Sequence, residues 1–132
     1  MTTAVLKAKN IQAKSVTIDA QGKVLGRLAV EVSKLLSGKD NVLNANNLVA
    51  GDKVTIINAK NVVVTGNKKA TKIYHSHSGY PQGEHEETLG SLLARKPEEV
   101  IRKAVRGMLP NNKLRDDRMK RLAVFAGDSN AE

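Results

Sequence analysis

The hydrophobic pattern changes period twice within the first 65 residues, and that succession limits the possible folds more than any other feature of the chain. Residues 15–20 (SVTIDA) set Val16, Ile18 and Ala20 alternately among polar neighbours, the two-residue repeat of a strand, and Gly22 closes it. From Leu25 the repeat becomes helical. Leu25, Leu28, Ala29, Val32, Leu35 and Leu36 fall on one stripe, with Arg27, Glu31 and Lys34 off it and Gly38 placed to end the helix. Residues 39–51 have no clear period and are expected to form a loop. Residues 54–58 (VTIIN) are a β-branched run too short for a helix, and a second such run at 62–65, ended by Gly66, reads as another strand. Strand, helix and strand in this order imply a right-handed βαβ crossover with parallel pairing.

The second half continues the alternation. Thr88 is placed to cap a short helix through Leu92 and Leu93. Pro97 suits the first turn of the next helix, with Glu98 and Glu99 at its positive end. Its expected buried stripe is Val100, Ile101, Ala104, Val105, Met108 and Leu109, and Pro110 prevents continuation. Asn111 and Asn112 read as a turn and cap. Residues 113–121 read as a solvated helix, and residues 122–126 (LAVFA) as a buried final strand. The expectation is an α/β fold, three-layer α/β/α around a central, mainly parallel sheet. It is carried by one domain over residues 15–127, between a basic N-terminal arm (1–14) and a frayed tail (128–132).

Charge then narrows the function. The 22 Lys and Arg residues against 13 Asp and Glu give a formal charge of +9, which points to a polyanionic partner. No apolar run reaches the roughly 20 residues that a membrane span requires, so no membrane partner is expected. The absence of cysteine removes any disulfide framework and any Cys-based zinc site, which suits the cytoplasm. Two Tyr, one Phe and no Trp are too few for a binding mode built on stacking successive unpaired bases, so phosphate contacts and shape should dominate.

Residues 68–83 (KKATKIYHSHSGYPQG) concentrate this chemistry. From Lys53 to Gly83 there are five lysines and no carboxylate. The segment is expected to be a binding loop, with Lys68, Lys69 and Lys72 on phosphates, Tyr74, His75 and His77 beside them, and Tyr80 packing on sugar or base. Downstream, Arg95, Lys96, Arg102, Lys103, Arg106, Lys113, Arg115, Arg118, Lys120 and Arg121 stand against four acids over the same span. Such an excess, rather than an alternation, marks a nucleic-acid surface. From this set Arg95, Lys96, Arg106, Lys113, Arg118, Lys120 and Arg121 are the expected contacts.

Other chemistries are weaker. The Gly22–Gly26 turn follows a strand and opens a helix, but three residues separate its glycines and Arg-Leu follows. A phosphate-binding loop has four residues and then Lys-Ser/Thr. The structural reading is Gly22 for the turn and Gly26 for close helix packing. His75 and His77 would share a face on a strand, with His85, Glu84, Glu86 and Glu87 across a Gly-Tyr-Pro turn, but no His-x-x-x-His pair or Cys supplies a further ligand. Ser76 and Ser78 lack a nucleophile elbow, and Asp19 is better placed to cap its own turn. No cofactor, metal or catalytic residue is therefore assigned. A small metal-dependent phosphoesterase or RNA-processing enzyme using His75, His77 and His85 stands as one alternative, and a free-standing RNA-binding regulator as another.

Five blocks together resemble one family. These are Asp19-Ala20-x-Gly22-x-x-Leu25-Gly26-Arg27-Leu28-Ala29; Gly51-Asp52 leading to Asn58-Ala59; His77-Ser78-Gly79-Tyr80-Pro81-x-Gly83; Leu92-Leu93-Ala94-Arg95-Lys96-Pro97; and Gly107-Met108-Leu109-Pro110. In this order the chain is similar to the L13 family of bacterial large-subunit ribosomal proteins. The resemblance implies an α/β/α domain without enzymatic activity that binds large-subunit rRNA early in assembly and touches neighbouring ribosomal proteins. For some members it also implies binding to their own messenger. It further implies that His77, Ser78, Gly79, Tyr80 and Pro81 face rRNA, and that residues 106–110 (Arg106, Gly107, Met108, Leu109 and Pro110) with Lys113 support a second contact. Arg115 stands where the family pattern has glycine, and a different bend before the last helix is expected there.

Overall fold

The computed structural model describes residues 12–42, 44–45 and 47–128. Most of the expected basic arm and tail lie outside the described residues. Strand β1 (Ser15–Asp19) pairs in parallel with β2 (Lys53–Ile57), and β2 pairs in parallel with β5 (Leu122–Val124), giving the order β1-β2-β5. The register sets Val16 beside Val54, Ile18 beside Ile56, Val54 beside Leu122 and Ile56 beside Val124. Strand parity therefore sends these residues to one face. Ile18, Val54, Ile56, Leu122 and Val124 are buried there, whereas Ser15, Thr17 and Asp19 on the opposite face are exposed. The α/β class with a parallel sheet is as expected.

Helix α1 (Leu25–Ser37) covers that face with Leu28, Ala29, Val32 and Leu36, all buried, while Leu25 and Leu35 are half-buried. Each fully buried Leu or Val contributes on the order of 1.5–3 kcal/mol before conformational entropy is charged against it. Gly38 ends the helix at φ 76°, a left-handed conformation that lets its N–H donate to the carbonyls of Lys34 and Leu35. The chain then returns so closely that a Cβ on Gly51 would overlap the Leu36 carbonyl, and Asp52 N–H donates to Leu35 O at 3.0 Å. This contact fixes where β2 starts. Gly26 has no such neighbour within 4 Å, so the expected close packing at that glycine is absent.

The run at 62–65 is not a strand. Asn58, buried and at φ 58°, turns the chain into a 3-10 helix (Ala59–Asn61), and of the run that follows only Val63 joins strand-like pairing, as an isolated parallel bridge with Val24. Asp19 caps as expected, accepting from Gln21 N–H at 2.9 Å and from Asn58 Nδ2 at 3.0 Å, so one carboxylate ties the end of β1 to the turn after β2.

Helices α3 (Leu89–Arg95) and α4 (Pro97–Met108) begin as their capping signals predict. Thr88 Oγ1 accepts from Ser91 N–H at 3.3 Å, and Pro97 opens α4 with Glu98 and Glu99 in its first turn. Val100, Ile101, Val105 and Leu109 are buried, and α4 packs on α1. Met108 departs from the expected stripe and is 44% exposed. Asn112 Oδ1 accepts from Leu114 N–H at 3.0 Å at the start of α5 (Leu114–Met119), which leads into β5.

Candidate nucleic-acid interface

Residues 68–83 are more ordered than a binding loop. A single helical turn, α2 (Lys68–Thr71), leads into β3 (Ile73–His77), which pairs antiparallel with β4 (Glu84–Thr88) as a separate two-stranded sheet. The register opposes Tyr74 to Glu87, His75 to Glu86, Ser76 to His85 and His77 to Glu84. Parity divides the hairpin: Tyr74, Ser76, His85 and Glu87 lie on one face, and His75, His77, Glu84 and Glu86 on the other.

The connecting turn is pinned from within. Ser78 N–H donates to Gly83 O at 3.0 Å, Gly83 N–H to Tyr80 O at 2.9 Å, and Gly79 N–H to His77 Nδ1 at 2.8 Å. Gly79 sits at φ 87° and Gln82 at φ 60°, and a Cβ on Gly83 would strike Ser78 Oγ. The turn thereby holds Tyr80, 76% exposed, at its tip beside the exposed Pro81. An exposed ring held on a pinned turn is available to pack on a partner without the turn having to be ordered first.

The hairpin's inner face lies over α3 and α4. Tyr74 is half-buried against Leu89, Leu92 and Val100, and burial pushes its hydroxyl pKa up. Two ammonium groups stand over its ring, Lys103 Nζ at 4.8 Å and Lys72 Nζ at 5.5 Å from the centroid. A cleft of about 640 Å³ between hairpin and helices is lined by Tyr74, His75, Ser76, His85, Glu86 and Glu87 on one side and by Arg95, Lys96, Glu99 and Lys103 on the other. An adjoining groove of about 410 Å³ carries Lys68, Lys72 and Lys103 around apolar Val24, Leu25, Val64 and Met108, with Gly107 beside them. Lys103 belongs to both, and it is the residue that the expected contact set omits. Its place off the buried stripe of α4 is the signal that it faces outward.

Among the described residues, no carboxylate lies within ion-pair distance of Lys68, Lys69, Lys72, Lys96 or Lys103, and all five are exposed. The arginines differ. Arg95 holds Glu87 through two bonds, at 2.6 and 3.1 Å, which draws the Glu87 carboxyl below the usual carboxylate range. Arg106 is bonded to Asp116 at 2.6 Å, with the same effect on Asp116. Lys120 pairs with Asp117 at 3.4 Å, and Arg121 donates to the carbonyl of Gly51.

Arg118 is a correction. The sequence reading puts it on a solvated helix contacting phosphate, yet it is 3% exposed, with Nε and Nη1 buried and without hydrogen-bond partners. Its spacing of four from the half-buried Leu114 places it on the inward side of α5, a signal that the surrounding charges hide. Arg121 is half-buried, Lys113 is exposed, and no residue of the 113–121 segment lines either cleft. The histidine trio of the enzyme alternative does not assemble either: His77 Nδ1 is engaged by the turn, and His85 faces away from His75.

Comparison with known proteins agrees with the resemblance seen in the sequence blocks. The family model described as Ribosomal protein L13 matches residues 13–131. The large ribosomal subunit protein uL13 of Trichlorobacter lovleyi is 45% identical over 127 residues, covering 96% of this chain and 89% of its own length. Its counterpart in Dehalococcoides mccartyi is 48% identical over 128 residues, covering 97% and 90%, and that of Geobacter sulfurreducens is 44% identical over 126 residues, covering 96% and 88%. A family model spanning nearly the whole chain, and identities of this size over nearly the full length of both partners, establish that the chain belongs to the ribosomal protein L13 family.

Proposed function

We propose that this chain is a structural, non-enzymatic constituent of the large ribosomal subunit that binds large-subunit rRNA in the cytoplasm and supports early subunit assembly. Family membership supports the ribosomal role, and no helix among the described residues is long and apolar enough to cross a membrane. The observation that carries the RNA reading is the set of five exposed lysines without an ion-pair partner, with Lys72 and Lys103 over the Tyr74 ring, Lys96 in the same cleft, Lys68 in the adjoining groove and Lys69 next to it on α2, together with the pinned turn that presents Tyr80.

The unpaired ammonium groups are free to replace the counterions of phosphates, while Tyr80 offers one face to a sugar or base. His77, Ser78, Gly79 and Pro81 shape that turn and add polar atoms beside it. Arg95 and Arg106 take part through the outer faces of guanidinium groups already oriented by Glu87 and Asp116. Lys113, Lys120 and Arg121 form a second, weaker patch, and neighbouring ribosomal proteins cover surface that the RNA leaves open. Residues 15–127 act as one binding unit, with the basic segment 1–14 as an adjunct. Binding to its own messenger gains no support from this arrangement.

Two measurements test the proposal. In a sucrose gradient of cell lysate the chain should co-migrate with large subunits in about equal number; recovery only in the light fractions refutes the ribosomal role. Affinity for large-subunit rRNA should fall with salt at a log–log slope of about −3.5 to −4.5 from the five lysines alone, steeper where the arginines and the second patch add contacts, and a slope shallower than about −3 refutes the interface as drawn.

A further inference from the structure

Across the hairpin strands lies a second group of side chains, distinct from the five lysines that carry the RNA reading. His75 on β3 lies opposite Glu86 on β4, and Glu84, two residues before Glu86, shares its face. His75 Nδ1 is 3.2 Å from a Glu86 carboxylate oxygen and 3.7 Å from a Glu84 carboxylate oxygen, and one ligand atom from each of the three lies within 4.8 Å of the others. Glu87, the third carboxylate of β4, is answered by Arg95. Among the described residues no Lys or Arg reaches Glu84 or Glu86, so a chain of charge +9 leaves two neighbouring carboxylates facing only an imidazole.

We propose that His75, Glu84 and Glu86 form a binding site for a divalent transition-metal cation of the zinc or manganese class. Bonds of about 2.0–2.2 Å to nitrogen and oxygen put neighbouring ligand atoms about 3.0–3.4 Å apart around the ion, so separations of 3.2 and 3.7 Å from His75, with all three ligand atoms within 4.8 Å of one another, need a closure of up to about 1.5 Å from side chains that are more than half exposed. One imidazole nitrogen with two carboxylates selects a borderline cation over magnesium or calcium, which prefer oxygen alone. The hairpin supplies the preorganisation: pairing fixes His75 and Glu86 across the strands, and the pinned turn that begins at Ser78 holds the register. Three protein ligands leave further positions for water. None of its three ligands is among the five lysines that carry the RNA reading, so the site does not depend on that reading, although His75 and Glu86 also edge the cleft that holds Tyr74.

The test uses the untagged full chain, stripped with a chelator, in isothermal titration calorimetry at neutral pH. Zn²⁺ and Mn²⁺ should bind one-to-one, Zn²⁺ with a Kd of about 10 µM or tighter, and Mg²⁺ at least about tenfold more weakly. The Glu84→Gln, Glu86→Gln double variant should lose at least about tenfold in Zn²⁺ affinity while keeping its circular dichroism spectrum, because all three residues are exposed. Mn²⁺ should broaden the amide resonances of residues 73–77 and 84–88 before any others. Absence of saturable Zn²⁺ binding below about 100 µM, retention of affinity in the double variant, or broadening centred elsewhere would overturn the site.

Discussion

Replacing Arg118 with methionine should stabilise the protein. The guanidinium is always charged, it is 3% exposed, and its Nε and Nη1 have no hydrogen-bond partner. Each unsatisfied buried donor costs about 1–3 kcal/mol, and replacing a poorly compensated buried charge with an apolar side chain of similar length recovers about 1–4 kcal/mol. Methionine keeps an unbranched stem of similar length in a segment where Leu122 is buried and Leu114 and Met119 are half-buried. We take a net gain of about 2 kcal/mol, which for a domain of this size raises Tm by roughly 6–10 °C. Differential scanning calorimetry on wild type and Arg118→Met measures it, with rRNA affinity determined in parallel and Lys113→Met as the exposed control. The buried-charge account requires a higher Tm and rRNA affinity unchanged within about twofold. A Tm that is unchanged or lower, or a loss of rRNA affinity about tenfold greater than that of Lys113→Met, would refute it and return Arg118 to the phosphate contacts.

Tyr80→Ala should leave Tm within about 2 °C of wild type, since the ring is 76% exposed, yet weaken rRNA binding by about 5- to 100-fold in filter binding. Glu87 titrates below its unfolded value because Arg95 stabilises its ionised form. Its contribution is therefore complete above the unfolded pKa of about 4.3 and is lost as pH falls through the lower folded value. Thermal melts should accordingly show the difference between wild type and Glu87→Gln shrinking below about pH 4.3, and a constant difference down to about pH 2.5 would be inconsistent with the pair. Gly51→Ala places a Cβ on the Leu36 backbone and should cost about 2–3 kcal/mol by urea unfolding, whereas Gly26→Ala should cost nothing or stabilise α1. In native-state hydrogen exchange, the amides of Val54 and Ile56 should open only with global unfolding, whereas those of the two-stranded β3–β4 sheet should open at lower free energy and slow on addition of rRNA.

The parts of the fold legible in the sequence are those where one face of an element is buried and the other wet. The stripe of α1, the stripe of α4 apart from Met108, the alternation in β1 and the caps at Thr88 and Pro97 all record that asymmetry, and all appear where the pattern puts them. Composition without asymmetry misleads. Residues 62–65 are as β-branched as β2, but the left-handed turn at Asn58 and the 3-10 helix redirect the chain, so only Val63 finds a partner. The β3–β4 hairpin fails the same test in reverse. IYHSH and EHEET are polar on both faces, so no period betrays two strands held by backbone pairing, a pinned turn and the single half-buried ring of Tyr74.

The same distinction explains how much of the interface could be read. Net charge and the lysine block at 68–72 are sums along the chain, and they survive folding because exposed ammonium groups with no nearby carboxylate remain available wherever the backbone carries them. Which cations are already spent is a matter of pairing in space. Arg106 meets Asp116 ten residues away, Arg95 meets Glu87 across the start of α3, Arg121 turns to the Gly51 carbonyl seventy residues distant, and Arg118 leaves the surface altogether. Lys103 moves the other way: an ordinary solvated position on α4 in sequence, it becomes the residue shared by both clefts once the hairpin lays Tyr74 beneath it. A basic run thus identifies the kind of partner, and the tertiary pairing selects which of its charges the partner can use. The affinity of this surface should follow the number of unpaired lysines, not the total of basic residues.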